Sequence, residues 1–189
     1  MTFLVADVGG TNTRLALADD QGLMSESIGH FVNADHRSFS EVVEAFLTGQ
    51  KHGTISACCV AMAGPVTAGQ ARLTNLDWHI SLAELRRITD TKNAILMNDL
   101  TALGYSLPQL NSSGLMQISH PQTDVYRNGQ SLIVGIGTGF NVCPVKVEQG
   151  RGPSCLAAEL GHAGLPLSLI ALLEERFPGK ARSFRTVED

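Results

Sequence analysis

Apolar and polar positions divide the chain into short strands and amphipathic helices. An apolar run from Phe3 to Ala6 meets Asp7, two glycines and small polar residues, and then a second run with Leu15 and Leu17 at period two. That is the pattern of strand, tight turn and strand. A weaker third strand is expected over residues 22–32. Ser38-Phe-Ser-Glu41 has the form of a capping box, and Phe39, Val42, Val43, Phe46 and Leu47 then recur at helical spacing up to Gly49. Ile55 to Ala63 reads as a buried strand turned by Gly64-Pro65, and Val66 to Leu73 as a small extra hairpin. A second capping box, Ser81-Leu-Ala-Glu84, opens a helix with Leu82, Leu85 and Ile88 on one side. Another buried strand, Ala94 to Met97, runs straight into Asn98-Asp99 and a helix from Leu100 to Leu107.

Between Pro108 and Gln130 the apolar positions thin out and Pro, Asn, Ser, Gly and Gln take over, the signature of a hinge. The strand, glycine turn and strand pattern then begins again over Ser131 to Val147. An apolar helix from Pro166 to Phe177 is stopped by Pro178-Gly179, and residues 183–189 are polar and expected to end without further structure. The reading is an α/β chain with a small domain over residues 1–108, a linker over 109–130 and the first part of a larger domain over 131–189.

Composition narrows the possible partners. The 189 residues carry a net charge of −4 and no long Lys/Arg cluster, so neither nucleic acid nor an anionic membrane is expected as a partner. Phosphate recognition would have to come from backbone amides. With no basic leader and no apolar run of membrane-spanning length, the expected location is cytoplasmic. Cys58, Cys59, Cys143 and Cys155 form no C-x-x-C pair and read as reduced, buried thiols.

Three places carry candidate chemistry. Gly9 and Gly10 allow close backbone approach, so N–H groups around Gly10, Thr11 and Asn12 can line an anion site. Asp7 at its rim suits a hydrated divalent cation; the plain alternative is a tolerant hairpin turn with a surface aspartate. Gly135, Gly137 and Gly139 do not open a helix, which argues against a dinucleotide-binding turn. Asp99, where a strand ends and a helix begins, is placed to take a proton from a hydroxyl or simply to cap the helix.

Five stretches, Asp7-Val-Gly-Gly-Thr-Asn-Thr-Arg14, Thr74-Asn75-Leu-Asp-Trp78, Asn98-Asp99-Leu-Thr-Ala102, Gly135-Ile-Gly-Thr-Gly139 and Glu159-Leu-Gly-His162, come in the order and at about the spacing of bacterial-type glucokinases. The chain resembles that family, within the hexokinase, Hsp70 and actin-like ATPase superfamily. The resemblance implies an α/β, ribonuclease H-like/actin-like ATPase fold with one complete N-terminal βββαβαβα unit and an incomplete second unit. It implies ATP and Mg²⁺ as cofactors and phosphorylation of glucose to glucose 6-phosphate.

By the same resemblance, Gly9, Gly10, Thr11, Asn12 and Thr13 form phosphate loop one, with Asp7 near the metal. Gly137, Thr138 and Gly139 form phosphate loop two. Asp99 is the general base for the sugar 6-hydroxyl, and Asn98, Glu159, His162 and Glu188 bind other sugar hydroxyls. A histidine in the position of His162 can also be a capping or core-edge residue. Carboxylates, an amide and an imidazole are apt partners for hydroxyls that both donate and accept.

The chain departs from the family in three ways. Phe140-Asn141 stand where phosphate loop two usually continues Leu-Gly, the cysteine-rich zinc motif of the related repressor and sugar-kinase group is absent, and the second repeat is about half present. Two expectations follow for the apolar helix 167–177: a missing C-terminal segment or a homodimer covers it. The competing function is a truncated, non-catalytic sugar-binding remnant without an adenosine site. A conformational ATPase of the actin or Hsp70 type is disfavoured by the Asn98-Asp99 and Glu159-x-Gly-His162 pairs.

Overall fold

The computed structural model describes residues 1–73, 76–111, 114–119, 128–137, 139–148, 150–180 and 183–187, and these fall into two units, Met1–Ala102 and Leu103–Asp189. Thr74 and Asn75 of the second motif, and part of the linker expected over 109–130, lie outside the described residues.

In the first unit, β1 (Thr2–Val8) and β2 (Asn12–Asp19) pair antiparallel, with Val8 opposite Thr13 across the turn. The third strand expected over 22–32 is not continuous. It is split into β3 (Gly22–Leu23) and β4 (Gly29–Val32), both paired with β2, with a 3₁₀ turn over Ser25–Ser27 between them. The buried Ser27 hydroxyl explains how the interruption is tolerated. Its oxygen accepts the Leu17 N–H at 2.8 Å while its proton goes to the Met24 carbonyl at 2.6 Å, so the backbone donor left by the break is satisfied.

Helix α1 (Phe39–Gly49) starts where its capping residue predicts, with Ser38 Oγ accepting the Glu41 N–H at 3.2 Å and the Glu41 carboxylate accepting the Arg37 N–H at 2.7 Å. Its apolar stripe, Phe39, Val42, Val43 and Phe46, is buried on the face of the sheet that presents Leu4, Val8, Leu15 and Val60. The chain then enters β5 (Ile55–Met62), parallel to β1.

Next come β6 (Val66–Thr67), β7 (Gln70–Arg72) and β8 (His79–Ser81), a separate antiparallel sheet. The hairpin over Val66 to Leu73 supplies its first two strands, and β8 adds a third that the hairpin pattern does not mark. Helix α2 (Leu82–Ile88) is capped by Ser81, whose hydroxyl oxygen accepts the Glu84 N–H. Glu84 itself does not close the box. Its carboxylate accepts the Ser40 hydroxyl and so ties α2 to α1.

Strand β9 (Ala94–Asn98), parallel to β5, is the last in the order β3-β2-β1-β5-β9 and leads directly into α3 (Asp99–Ser106). The four-residue apolar run predicts a buried strand, yet only Leu96 is buried; Ile95 is 53% exposed and stands, with Val5 and Cys59, on the face of the sheet opposite the α1 core.

The second unit contains a three-stranded antiparallel sheet, β10 (Gln130–Ile136), β11 (Phe140–Lys146) and β12 (Ser154–Cys155), and a helix α4 (Leu167–Arg176). Val142, Cys143 and Val145 of its central strand are buried, whereas Ile136 and Leu167 are more than 80% exposed and α4 buries none of its residues. The polar tail does not simply end. Thr186 bridges Gly164, the Leu165 N–H donates to the Arg185 carbonyl and the Val187 N–H donates to the Ala163 carbonyl. Among the described residues no helix is long and apolar enough to cross a membrane.

All four cysteines are free; Cys58 and Cys143 are buried, and Cys59 and Cys155 are half-buried. Burial, and secondarily the adjacent Cys59, pushes the Cys58 thiol up from the ordinary 9.0 to about 12. Folding therefore favours the protonated thiol. The resulting stabilisation is complete below the unfolded-state value and is lost as pH rises through the folded one. The melting temperature is expected to fall more steeply above about pH 9 in the wild type than in Cys58→Ala; superimposable slopes would show that Cys58 is not the titrating group. In urea denaturation Phe46→Ala, which empties a site 2% exposed, is expected to cost about 3–5 kcal/mol. A loss under about 1 kcal/mol would mean that the α1–sheet core closes over the gap.

Candidate active site

Parallel strands β1, β5 and β9 end level with one another, since Val8 lies opposite Met62 and Met62 opposite Asn98. Neighbouring strands are about 4.8 Å apart, so the ends of β1 and β9 are about 10 Å apart on one edge of the sheet. Phosphate-loop candidates Gly9, Gly10, Thr11 and Asn12 follow β1, and Asn98-Asp99 close β9. Two stretches separated by most of the unit's sequence thus meet on the same carboxyl edge, the side on which open α/β sheets take ligands.

The first turn is tightly tied. The Gly9 N–H donates to the Asn12 carbonyl at 2.9 Å, and a Cβ at Gly9 would come within 3.2 Å of that same oxygen. Thr11 and Asn12 are exposed at the tip while Thr13 is fully buried. Further bonds come from Asn33, itself fully buried. Its Oδ1 accepts the Thr13 hydroxyl at 2.8 Å, its Nδ2 donates to the Gly9 carbonyl at 2.8 Å and its backbone N–H donates to the Thr11 carbonyl at 2.9 Å. Nothing in the spacing of the chain marks Asn33; Asn-x-Asp reads as an ordinary polar turn.

Asp7 lies opposite Arg14 in the hairpin, with Arg14 Nη1 at 3.6 Å from its carboxylate and both side chains more than half exposed. Among the described residues no group of three or more His, Cys, Asp or Glu side chains is arranged to hold a metal ion. A single exposed carboxylate fits a cation such as Mg²⁺, which keeps most of its waters and takes its other ligands from phosphate.

At the end of β9, Asn98 is the residue that caps α3. Its Oδ1 accepts the N–H groups of Leu100 at 2.9 Å and Thr101 at 3.4 Å, and its Nδ2 donates to the Gly64 carbonyl at 3.0 Å. Gly64, with φ of +115°, can make that turn because it lacks a Cβ. Asp99 is therefore not the cap but a half-buried first-turn residue, with one carboxylate oxygen accepting the Leu100 N–H at 2.7 Å. Its second oxygen has no hydrogen-bond partner among the described residues.

In the second unit, the Gly137 N–H donates to the Gly139 carbonyl at 2.9 Å across the turn between β10 and β11; Thr138 lies outside the described residues, as does Glu188. Glu159 precedes and His162 ends a 3₁₀ turn over Leu160–His162, and the His162 N–H donates to the Glu159 carbonyl at 3.4 Å.

The departure at Asn141 has a structural use. Its Nδ2 donates to the Glu159 carboxylate at 3.2 Å and its Oδ1 accepts the Leu160 N–H at 3.1 Å, so the strand leaving the glycine turn is joined to the Glu159 segment. A glycine there has no side chain to make this link. Beside it, the Val187 N–H donates to the carbonyl of Ala163, the residue after His162.

The family described as Glucokinase matches residues 4–170. A glucokinase of Caulobacter vibrioides is 37% identical over 163 residues, which is 84% of this chain and 48% of that protein. The chain thus spans about half the length of the curated relatives it matches. Among solved structures, a glucokinase from an Antarctic psychrotroph is 30% identical with a TM-score of 0.76, covering 99% of this chain and 59% of that one. A ROK family glucokinase from Streptomyces griseus, solved in complex with glucose and AMPPNP, shares the fold at 17% identity and a TM-score of 0.56, over 88% of this chain and 51% of that one. The α/β architecture is that of the ribonuclease H-like/actin-like ATPases, and the chain belongs to the glucokinase family.

Proposed function

We propose that the complete protein transfers the γ-phosphoryl group of ATP to the 6-hydroxyl of glucose in the cytoplasm, with Asp99 as the general base. The observation that carries this reading is the level ending of β1 and β9, which brings a backbone-lined anion turn and a half-buried carboxylate to one sheet edge about 10 Å apart. Family membership, and the glucose and AMPPNP held by the Streptomyces griseus relative, support the same choice of substrates.

Each residue then has a task set by its chemistry. Backbone amides of loop one, residues 9–13, and of loop two, residues 137–139, bind phosphate oxygens without the need for a basic patch. Asp7 is the residue that would hold a hydrated Mg²⁺, which would supply neutralisation of phosphate charge. Asp99 accepts the proton of the sugar hydroxyl as the phosphorus–oxygen bond forms, through the oxygen that the Leu100 N–H does not occupy. Asn98 contributes by holding the first turn of α3 and the Gly64 turn in place, with sugar contact as its further role. Glu159, His162 and Glu188 bind the remaining hydroxyls.

In the complete protein Asp99→Asn, which keeps the size and one acceptor of the side chain but cannot take a proton, is expected to lower kcat by about 10²–10⁴-fold. Glucose affinity by calorimetry should stay within about threefold, because the hydrogen-bonding shape of the site is preserved. Glucose 6-phosphate formation at the wild-type rate would remove Asp99 from the role of base.

A further inference from the structure

Among the described residues of the first unit Asn33 is the one fully buried side-chain amide, and its side chain and backbone N–H all bond to the segment Gly9–Thr13. An apolar residue would fill the same space more cheaply, because a buried amide must have every polar atom satisfied. We propose that Asn33 is a positioning residue for nucleotide binding: it fixes the peptide planes of loop one so that their N–H groups face the phosphates. This rests on the reading of Gly9–Thr13 as a phosphate loop.

The geometry follows from the peptide group. A trans peptide sets its carbonyl and its N–H on opposite sides. Asn33 Nδ2 holds the Gly9 carbonyl and the Asn33 N–H holds the Thr11 carbonyl, both on the buried side of the turn. The N–H groups of Gly10 and Asn12, which belong to those same two peptide planes, therefore point away from the Asn33 groups that hold those carbonyls. The Asn12 carbonyl is meanwhile held by the Gly9 N–H. Three carbonyl oxygens that would repel an anion are thus engaged.

The Thr13 hydroxyl supplies the remaining restraint. By donating to Oδ1 at 2.8 Å, it leaves the amide nitrogen as the end that faces Gly9. Without this lock, two adjacent glycines have access to left-handed and extended conformations alike, and the peptide between them is free to turn its oxygen outward.

The test is a set of variants in the complete protein, with Mg²⁺-ADP and glucose affinities measured separately by calorimetry and KM for ATP and kcat measured by coupled assay. Asn33→Ala is expected to weaken Mg²⁺-ADP binding and raise KM for ATP by about tenfold or more while leaving glucose affinity unchanged. Asn33→Asp sets a carboxylate oxygen against the Gly9 carbonyl and should be at least as damaging. Thr13→Val should give a smaller loss of the same kind, and Thr13→Ser, which restores the hydroxyl, should recover nucleotide affinity. If Asn33→Ala is too unstable to purify, the Thr13 pair decides the matter by itself.

Equal losses of glucose and nucleotide affinity, or a lower melting temperature with unchanged KM for ATP, would overturn the proposal in favour of a structural role. Thr11→Asp separates the proposal from the reading beneath it, since it adds a charge at the exposed tip without touching the core. Unchanged Mg²⁺-ADP affinity in Thr11→Asp would overturn the phosphate-loop reading itself. A loss in Thr11→Asp with none in Asn33→Ala would overturn only the role of Asn33.

Discussion

The parallel register of β1, β5 and β9 is the constraint from which the candidate site follows. What matters is that all three strands stop at the same level. Because side chains alternate with period two, a slip of one residue in either ladder would send Leu4, Val8, Val60 and Met62 to the wrong face and empty the core under α1. Core packing therefore sets the alignment of the strand ends, and that alignment sets the distance between the glycine turn and Asp99. Hydrophobic burial and the geometry of the candidate active site are two consequences of one register.

Side-chain amides then convert strand ends into defined turns. Asn33 ties the loop after β1, Asn98 ties the turn after β5 to the helix after β9, and Asn141 ties β11 to the Glu159 segment. Asparagine suits this work because one short side chain carries both a donor and an acceptor and can bridge two backbone groups at once. Such links are directional, whereas the apolar contacts beneath them are not. The core holds the elements together, and the amides decide which way the connecting peptides face.

The two units differ in how far they are covered. In the first, α1 lies on a sheet whose inward positions are closed to solvent, and the Ser40 hydroxyl joined to the Glu84 carboxylate fastens α1 to α2. In the second, a three-stranded sheet buries only the middle strand well, and Ile136, Leu167 and Leu172 remain exposed. A sheet needs a layer on each apolar face before its side chains leave water, and among the described residues of this unit three strands and one short helix provide too little surface to do this.

Much of this organisation was legible in the chain alone, because it depends on neighbours in sequence. Ser38 and Ser81 announce their helices through oxygens that reach only three residues along, and the paired glycines announce their turns through backbone freedom that no other residue has. The ordered motifs around Asp7, Asn98-Asp99, Gly135 to Gly139 and Glu159 to His162 were enough to point to the glucokinase family. Other features needed the tertiary structure. The exposure of Ile95 depends on its standing, with Val5 and Cys59, on the face of the sheet opposite the α1 core, and the break between β3 and β4 depends on Ser27 finding the Leu17 N–H ten residues away. The Asn33 side chain has no local signature, since its partners lie twenty or more residues earlier and are brought to it only when β4 pairs with β2. Local chemistry determined which turns and helices form; the closing of the ladders decided which buried amide holds the turn and how far that turn lies from Asp99.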